Sequence, residues 1–475
     1  MNTVLLFIPN TRWFNKRPWV SIPHSALILS ALLKDDYNFI ILDANGQNYN
    51  DDECASLLLR HNPEIILVSA LSMEYHKQYH KALKLAKQSC PKAITILGGV
   101  YPTVCPEEAI KDLNLDYVFI GHAEERISNF IELVMKNDLS NLIRVPGISF
   151  RDGNSVRLNP VTSYIGDVKN LVRPDFSFMD ITPYLVRKSK DYQFNSSLKS
   201  ASILTSYGCP YNCSFCATRT ISGKKTAYRP LEDVIAEIDF LINEHDIQEL
   251  LFLDDNFLTK KDRAIRMFET LRDNYKISWK SSNVAAWLLD EGILALMKQS
   301  GCTQITISVE SGSQRVLSDI IHKPMDLKKI SPIVQRCQEL GICICANFVI
   351  GFPGETWDEI RQSFAFAELC DFDLAHFHIA TPLPGTDLYK TAVDQNLLPK
   401  DFSFFDERYF GFGQAFIETP EFTRSELLIL RAYEWDRINF NTPEKTARIA
   451  KMYCTTVEDL NEHRKQTRRK LGIHF

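Results

Sequence analysis

Three cysteines fall within eight residues, Cys209-Pro210-Tyr211-Asn212-Cys213-Ser214-Phe215-Cys216. Three thiolates on one loop can hold a metal. A closed zinc site needs a fourth ligand, and no Cys or His stands within ten residues on either side. A four-iron cluster held by only three thiolates keeps one iron open to a substrate or cosubstrate, so this spacing points to iron-sulfur chemistry with a reactive iron, a 4Fe-4S cluster on Cys209, Cys213 and Cys216. Further reactive side chains follow apolar runs: Asp254, Asp255 and Asn256 after LLFL, and Glu310 with Ser311 after QITISV. Carboxylates in such places either serve a ligand or cap the next helix. His376 and His378 alternate within LAHFHIAT, which would put both on one face of a strand, where a neutral imidazole binds substrate, shuttles a proton or packs in the core.

The elements that must position these groups form two series. The cysteines follow SASILTSY (200–207), the first of six apolar runs; the others are 249–255, 277–283, 304–311, 343–351 and 374–381. Helical stretches separate them at 229–245, 260–274, 289–299, 326–340 and 356–369. Six strand–helix units predict a partial (β/α)6 TIM-type barrel over 196–395, with functional residues just after the strands. The earlier series, 4–9, 38–43, 64–70, 93–99 and 116–121, consists of continuous Ile/Leu/Val runs with amphipathic stretches between them. Such strands are buried on both faces, predicting a Rossmann-like domain over 1–140 with ligands beyond the carboxyl ends of its strands. GISFRDGNSVRL (147–158) reads as a hairpin around Asp152–Gly153. With the proline-bearing stretch that follows it makes a hairpin and linker, 141–195, and the chain closes on a mostly helical region, 396–475, that begins aromatic-rich (FSFFDERYFGFGQAF). The expected fold class is therefore α/β.

Charge is nearly balanced, 54 Lys+Arg against 59 Asp+Glu, with one short basic run, RKQTRRK, near the end. No electrostatic footprint for nucleic acid follows from that, and small substrates are favoured. The amino-terminal apolar stretch is too short for a membrane span and lacks the flanks of a secretory signal. A cytoplasmic protein is expected, and the nine scattered cysteines read as small core residues rather than a disulfide framework.

The Cys-x3-Cys-x2-Cys spacing with Phe215 before the last cysteine resembles the signature of the radical S-adenosylmethionine superfamily. The likeness extends over roughly residues 1–395. It is nearest to the subgroup with an N-terminal cobalamin-binding domain, which includes the anaerobic Mg-protoporphyrin ester cyclase. Arg229-Pro230, LFLDDNF (251–257), ISVESGS (307–313), FVIGFPGET (348–356) and TPLPGTDLY (381–389) carry it. The resemblance implies that the open iron chelates S-adenosylmethionine, which one electron cleaves to methionine and a 5′-deoxyadenosyl radical that abstracts hydrogen from substrate. It also implies that Asp254, Asp255 and Asn256 stand where the methionyl amino group is held. Glu310 and Ser311 match the polar pair near the cosubstrate, and Phe348 to Ile350 the stretch along the adenine.

By the same resemblance, the loops SALSM (69–73) and GGVYPT (98–103) would cradle the nucleotide tail of cobalamin, through Ser69, Ser72, Gly98, Gly99 and Thr103, with Gly121 beside them. Two departures stand out. The loop 10–24 has no Asp-x-His-x-x-Gly, leaving Trp13, Phe14 and Trp19 to cover the lower face of the cobalt. Where the family usually shows Gly-Glu-Gly-Glu, this chain reads Gly121-His122-Ala123-Glu124-Glu125. The expectations are a cobalamin-dependent methylase of a small molecule or lipid, fed electrons by a flavodoxin or ferredoxin; a radical dehydration, deoxygenation, cyclisation or oxidation over a vestigial cobalamin domain; or a metal-stapled binding module.

Overall fold

The computed structural model describes residues 1–185, 194–406 and 414–470, so the centre of the aromatic stretch, 407–413, and residues 186–193 of the expected linker lie outside the described residues. The chain divides into two compact units, Met1–Leu185 with Thr218–Asp233, and Val186–Ala217 with Val234–Phe475.

The first unit is a seven-stranded sheet. β1 (Thr3–Ile8), β2 (Asn38–Asp43), β3 (Ile65–Ala70), β4 (Ile94–Gly99) and β5 (Tyr117–Phe119) run parallel, in the order β2-β1-β3-β4-β5. Apart from the half-buried Ile40, Ile41 and Ile94, their Ile, Leu and Val side chains are buried between helices such as His24–Leu33 and His76–Ser89. The hairpin β6 (Ile148–Asp152) and β7 (Ser155–Leu158) turns at Gly153 (φ 60°) and extends the sheet antiparallel from β5. Residues 159–185, which their prolines mark as a linker, pack back on this unit: Asp175 pairs with Lys34 at 2.7 Å, and the Tyr184 hydroxyl donates to Asp43 at 2.9 Å.

The second unit holds six parallel strands: β8 (Ser200–Ile203), β9 (Glu249–Phe252), β10 (Ser278–Val284), β11 (Cys302–Glu310), β12 (Cys343–Ile350) and β13 (Leu374–Ile379), paired in sequence order. No pair closes β13 onto β8 among the described residues, as a partial barrel requires. The two faces differ. Phe252, Trp279, Ile305, Phe348 and Phe377 point to the helices, with Trp279 stacked on Phe268 and Phe377 against Phe364. The opposite face carries Glu249, Lys280, Gln304, Thr306, Ser308, Asn347, His376 and His378, which the strand register sets side by side. A parallel strand covered by helices on both faces would be apolar throughout; polar alternation marks this face as the barrel lumen.

The lumen is plugged at one end and open at the other. Near the amino ends of the strands, Cys345 and Leu374 are sealed by Ile449, Ala450 and Leu460 from the carboxyl-terminal helices. Toward the carboxyl ends, Ser282, Ser308, Asn347, His376 and His378 keep accessible surface.

Candidate functional site

Cys209, Cys213 and Cys216 are free, half-buried and close enough that their charges act on one another. The loop is braced by the three residues that follow β9. Asp254 is wholly buried, and its carboxylate accepts from the Thr205 amide (3.2 Å), the Thr205 hydroxyl (2.7 Å) and the Ser206 hydroxyl (2.5 Å). Asp255 accepts from the Gly208 amide at 2.8 Å, and the Asn256 amide bonds the Cys209 sulfur. Asn283 ties this corner to β10 by donating to the Asp255 carbonyl.

Glu310 ends β11 with a left-handed backbone (φ 72°) and is paired with Lys323 at 2.8 Å, both buried. Burial pushes the Cys213 thiol up to about 12, and the Lys323 charge opposes that. Lys323 also lies over Trp287, whose indole donates to the Tyr211 hydroxyl at 2.9 Å, while Phe215 meets Phe352 at 5.6 Å. Lys323 and Trp287 carried no signal in the sequence, since neither lies in a motif.

Other expected residues sit apart from this loop. Ser311 is buried in the turn after β11, where it accepts from the Ser313 amide and meets the Ser363 hydroxyl. Phe348 and Ile350 point into the helix layer; Asn347 and Val349 are the lumen-facing side chains of β12. His376 and His378 do share the lumen face. Burial lowers the His376 pKa to about 3 and lowers that of His378. His378 keeps accessible surface toward the carboxyl end of the strand.

In the first unit Gly98 and Gly99 lay accessible backbone at the carboxyl end of an otherwise buried sheet. Gly99 has φ +108°, and a Cβ there would meet the Ala70 carbonyl at 2.3 Å, so no other residue fits. The short helix Val100–Val104 begins at once. Its Thr103 hydroxyl donates to the Gly99 carbonyl (2.6 Å) and accepts from the Gly121 amide (2.9 Å), gathering three expected cobalamin contacts into one corner, with Ser69 beside Gly98 on β3. Ser72 is engaged locally: Tyr79 bonds both its amide and its carbonyl. In the loop after β1, Trp13 folds inward and donates to the Tyr49 carbonyl, Trp19 is half-buried, and Phe14 projects, 54% exposed, at φ 61°. Arg126 donates to the carbonyls of Ile120, His122 and Pro146, fixing the Gly121–Ala123 turn.

The donor sets suit both groups. Three thiols with an amide on one sulfur are the soft, hydrogen-bonded set an iron-sulfur cluster takes. Among the described residues no three Cys, His, Asp or Glu converge as a single metal ion would need. The open glycine backbone and the Thr103 corner suit a nucleotide tail.

Two family models match the chain: the radical SAM superfamily over residues 203–367 and the B12 binding domain over 18–131. The chain combines a B12-binding domain with a radical SAM domain. It is 27% identical over 457 residues to the cytidylyl-2-hydroxyethylphosphonate methyltransferase of Streptomyces wedmorensis, covering 88% of this chain and 84% of that protein. It is 24% identical over 399 residues to the anaerobic magnesium-protoporphyrin IX monomethyl ester cyclase of Cereibacter sphaeroides, covering 83% and 62%. Among solved structures, the radical S-adenosylmethionine methyltransferase TsrM from Kitasatospora setae, with cobalamin and a [4Fe-4S] cluster bound, superposes with TM-score 0.71 at 17% identity, over 83% of this chain and 75% of that one. The cobalamin-dependent S-adenosylmethionine radical enzyme OxsB, with aqua-cobalamin and S-adenosylmethionine bound, gives 0.74 at 17%, over 98% and 72%. At these identities the superpositions show the fold. The radical SAM match falls on the first five strands of the partial barrel, and the B12-binding match on β2 to β5 of the first unit.

Proposed function

We propose that the chain is a cobalamin-dependent radical methylase acting on an unactivated carbon or phosphorus of a small metabolite, antibiotic precursor or lipid. The observation that carries this is the union, in one chain, of a B12-binding domain with a three-thiol loop at the carboxyl end of a polar-lined partial barrel. Methyltransferases among the relatives support it. When bound, the cluster supplies the electron that splits one S-adenosylmethionine into methionine and a 5′-deoxyadenosyl radical, and cobalamin supplies a methyl group drawn from a second.

Cys209, Cys213 and Cys216 hold the cluster, and Asp254, Asp255 and Asn256 keep their loop in place, with Asp255 and Glu310 beside the cosubstrate. Asn347 and Val349 line its other side, and the β12 backbone at Phe348–Ile350 runs along the adenine. Ser69, Gly98, Gly99, Thr103 and Gly121 cradle the cobalamin tail. His376 and His378, neutral in this lumen, bind substrate or carry a proton. The reductant is a small electron carrier of the flavodoxin or ferredoxin type. None of the twelve cysteines is disulfide-bonded, which supports a cytoplasmic setting; no helix among the described residues is long and apolar enough to cross a membrane.

The test is anaerobic reconstitution with iron, sulfide and hydroxocobalamin. Visible spectra should report cluster and corrin together, and dithionite with S-adenosylmethionine should yield 5′-deoxyadenosine; substrate turnover should add S-adenosylhomocysteine. Replacing all three cysteines with Ala should remove iron and 5′-deoxyadenosine together. A triple variant that keeps its iron refutes the reading. So does wild-type turnover that yields 5′-deoxyadenosine while every labelled methyl stays in methionine.

A further inference from the structure

The helix Arg424–Asn439 lies along β13, the edge strand of the partial barrel. Near its start, Leu427 is pressed against the strand ends: a Cβ on Gly351 would meet Leu427 Cδ1 at 2.6 Å and Ile379 Cγ2 at 3.7 Å. At its end, Asn439 takes over the free edge, with Nδ2 donating to the Ala375 carbonyl and Oδ1 accepting from the Ala375 amide, both at 2.8 Å. Leu427, Arg431, Trp435 and Asn439 are four residues apart and so share one stripe of the helix. Arg431 is therefore laid against β13 between Ile379 and Ala375, and its charge acts on His378 after that of Glu310, whose carboxylate is itself paired with Lys323.

Arg431 is a cation without compensation. Its Nε is enclosed by protein with no hydrogen-bond partner, and among the described residues the guanidinium makes no hydrogen bond or ion pair. The acidic residues of the same helix are engaged elsewhere, Glu426 with Thr423, Glu434 with Arg437 and Asp436 with Arg464 and Arg468. A lysine could shed its proton in such a place; a guanidinium cannot. Arg431 is half-buried, with its Nε enclosed, and leaving such a charge without a protein partner is costly; an apolar residue of similar volume would be the stable choice. Beside it the lumen wall is polar and open, through Ser308, Asn347 and His376 in register and His378 one step further. A planar fork of donors beside an accessible imidazole matches the paired oxygens of an oxyanion.

We propose that Arg431, with His378 beside it, is the recognition site for an anionic group of the substrate: a phosphonate, phosphate or carboxylate held at the mouth of the partial barrel. This rests on the reading of the lumen as the place where substrate meets the radical. The cosubstrate also carries a carboxylate, but that group is assigned to the open iron.

The experiment uses the anaerobically reconstituted full-length protein, its Arg431→Met variant and its Arg431→Lys variant. Thermal melts are recorded with increasing methylphosphonate, inorganic phosphate or acetate, alongside equilibrium dialysis of S-adenosylmethionine. At least one anion should raise the melting temperature of the wild type. Arg431→Met should melt at or above the wild type without anion and bind the protecting anion at least about tenfold more weakly. Arg431→Lys should fall between the two, and the affinity for S-adenosylmethionine should be equal in all three. Equal anion protection of wild type and Arg431→Met overturns the proposal, as does no protection of the wild type. An Arg431→Met variant that melts well below wild type makes the residue structural, and weakened S-adenosylmethionine binding assigns it to the cosubstrate. Failure to retain corrin would sink the methylase reading and leave these anion titrations readable.

Discussion

Glu310 and Lys323 form a buried ion pair, Oε1 to Nζ at 2.8 Å, thirteen residues apart at the end of β11 and against the cysteine loop. Removing one member leaves the other enclosed without its counter-charge, which costs about 3–5 kcal/mol, whereas replacing both by apolar groups can be nearly neutral. Glu310→Ala should therefore melt far below wild type, and Glu310→Ala with Lys323→Met should recover most of the loss. A double variant no more stable than the single one would contradict the pairing. S-adenosylmethionine titration of the recovered double variant then reads the contribution of Glu310 to the cosubstrate apart from its structural one.

Asp255 serves the Gly208 amide next to Cys209, and two substitutions separate that duty from ligand binding. Asp255→Ala frees the amide, and iron should be lost faster to a chelator. Asp255→Asn keeps an acceptor and should hold its iron. If the carboxylate also holds the methionyl amino group, the Asn variant should still lose roughly 1.5–3 kcal/mol of cosubstrate affinity. Unchanged affinity with intact iron would confine Asp255 to the loop.

Glu355 is fully buried, its Oε2 accepting from the Gly351 and Phe352 amides while Oε1 has no partner. Burial raises its pKa from 4.5 to about 8. The folded chain thus keeps a proton that the unfolded chain releases. Its contribution is fully present below the unfolded value and fades as pH rises toward about 8. Glu355→Gln should gain in melting temperature over wild type as pH climbs from about 6 to about 8.5. Parallel pH profiles for the two chains would refute the shift.

The loop after β1 presents no histidine toward a corrin. His24, at the start of the following helix, is buried with Nδ1 at 3.1 Å from the Ile22 carbonyl. Thr11 ties the loop to Asn45, which in turn bonds Tyr184. Electron paramagnetic resonance of the chain loaded with cob(II)alamin should therefore lack nitrogen superhyperfine splitting. A clear splitting would mean that a histidine or the benzimidazole ligates the cobalt. Of the three aromatic residues expected to cover that face, Phe14 projects, whereas Trp13 spends its indole on Tyr49.

The sequence by itself determined what covalent neighbourhood encodes. Three thiols in eight residues are close in any fold, and apolar runs of strand length separated by amphipathic stretches can bury themselves only as parallel strands under helices. The strands lie where those runs place them, and the alternation of His376 and His378 already put both on one face. What partners each side chain would find was decided by packing. Asp254 reaches Thr205 across 49 positions, the Arg431 charge acts on His378 from the helix laid along the edge strand, and Lys323 reaches the cysteine loop from beyond β11. The helix Val100–Val104 was also hidden, because GGVYPT (98–103) reads as a loop until Thr103 is seen bonding both Gly99 and Gly121. Spacing along a chain reports residues that cannot move apart; contacts made by closing a sheet and laying helices on its edge depend on how every layer fits, and only the folded arrangement holds that information.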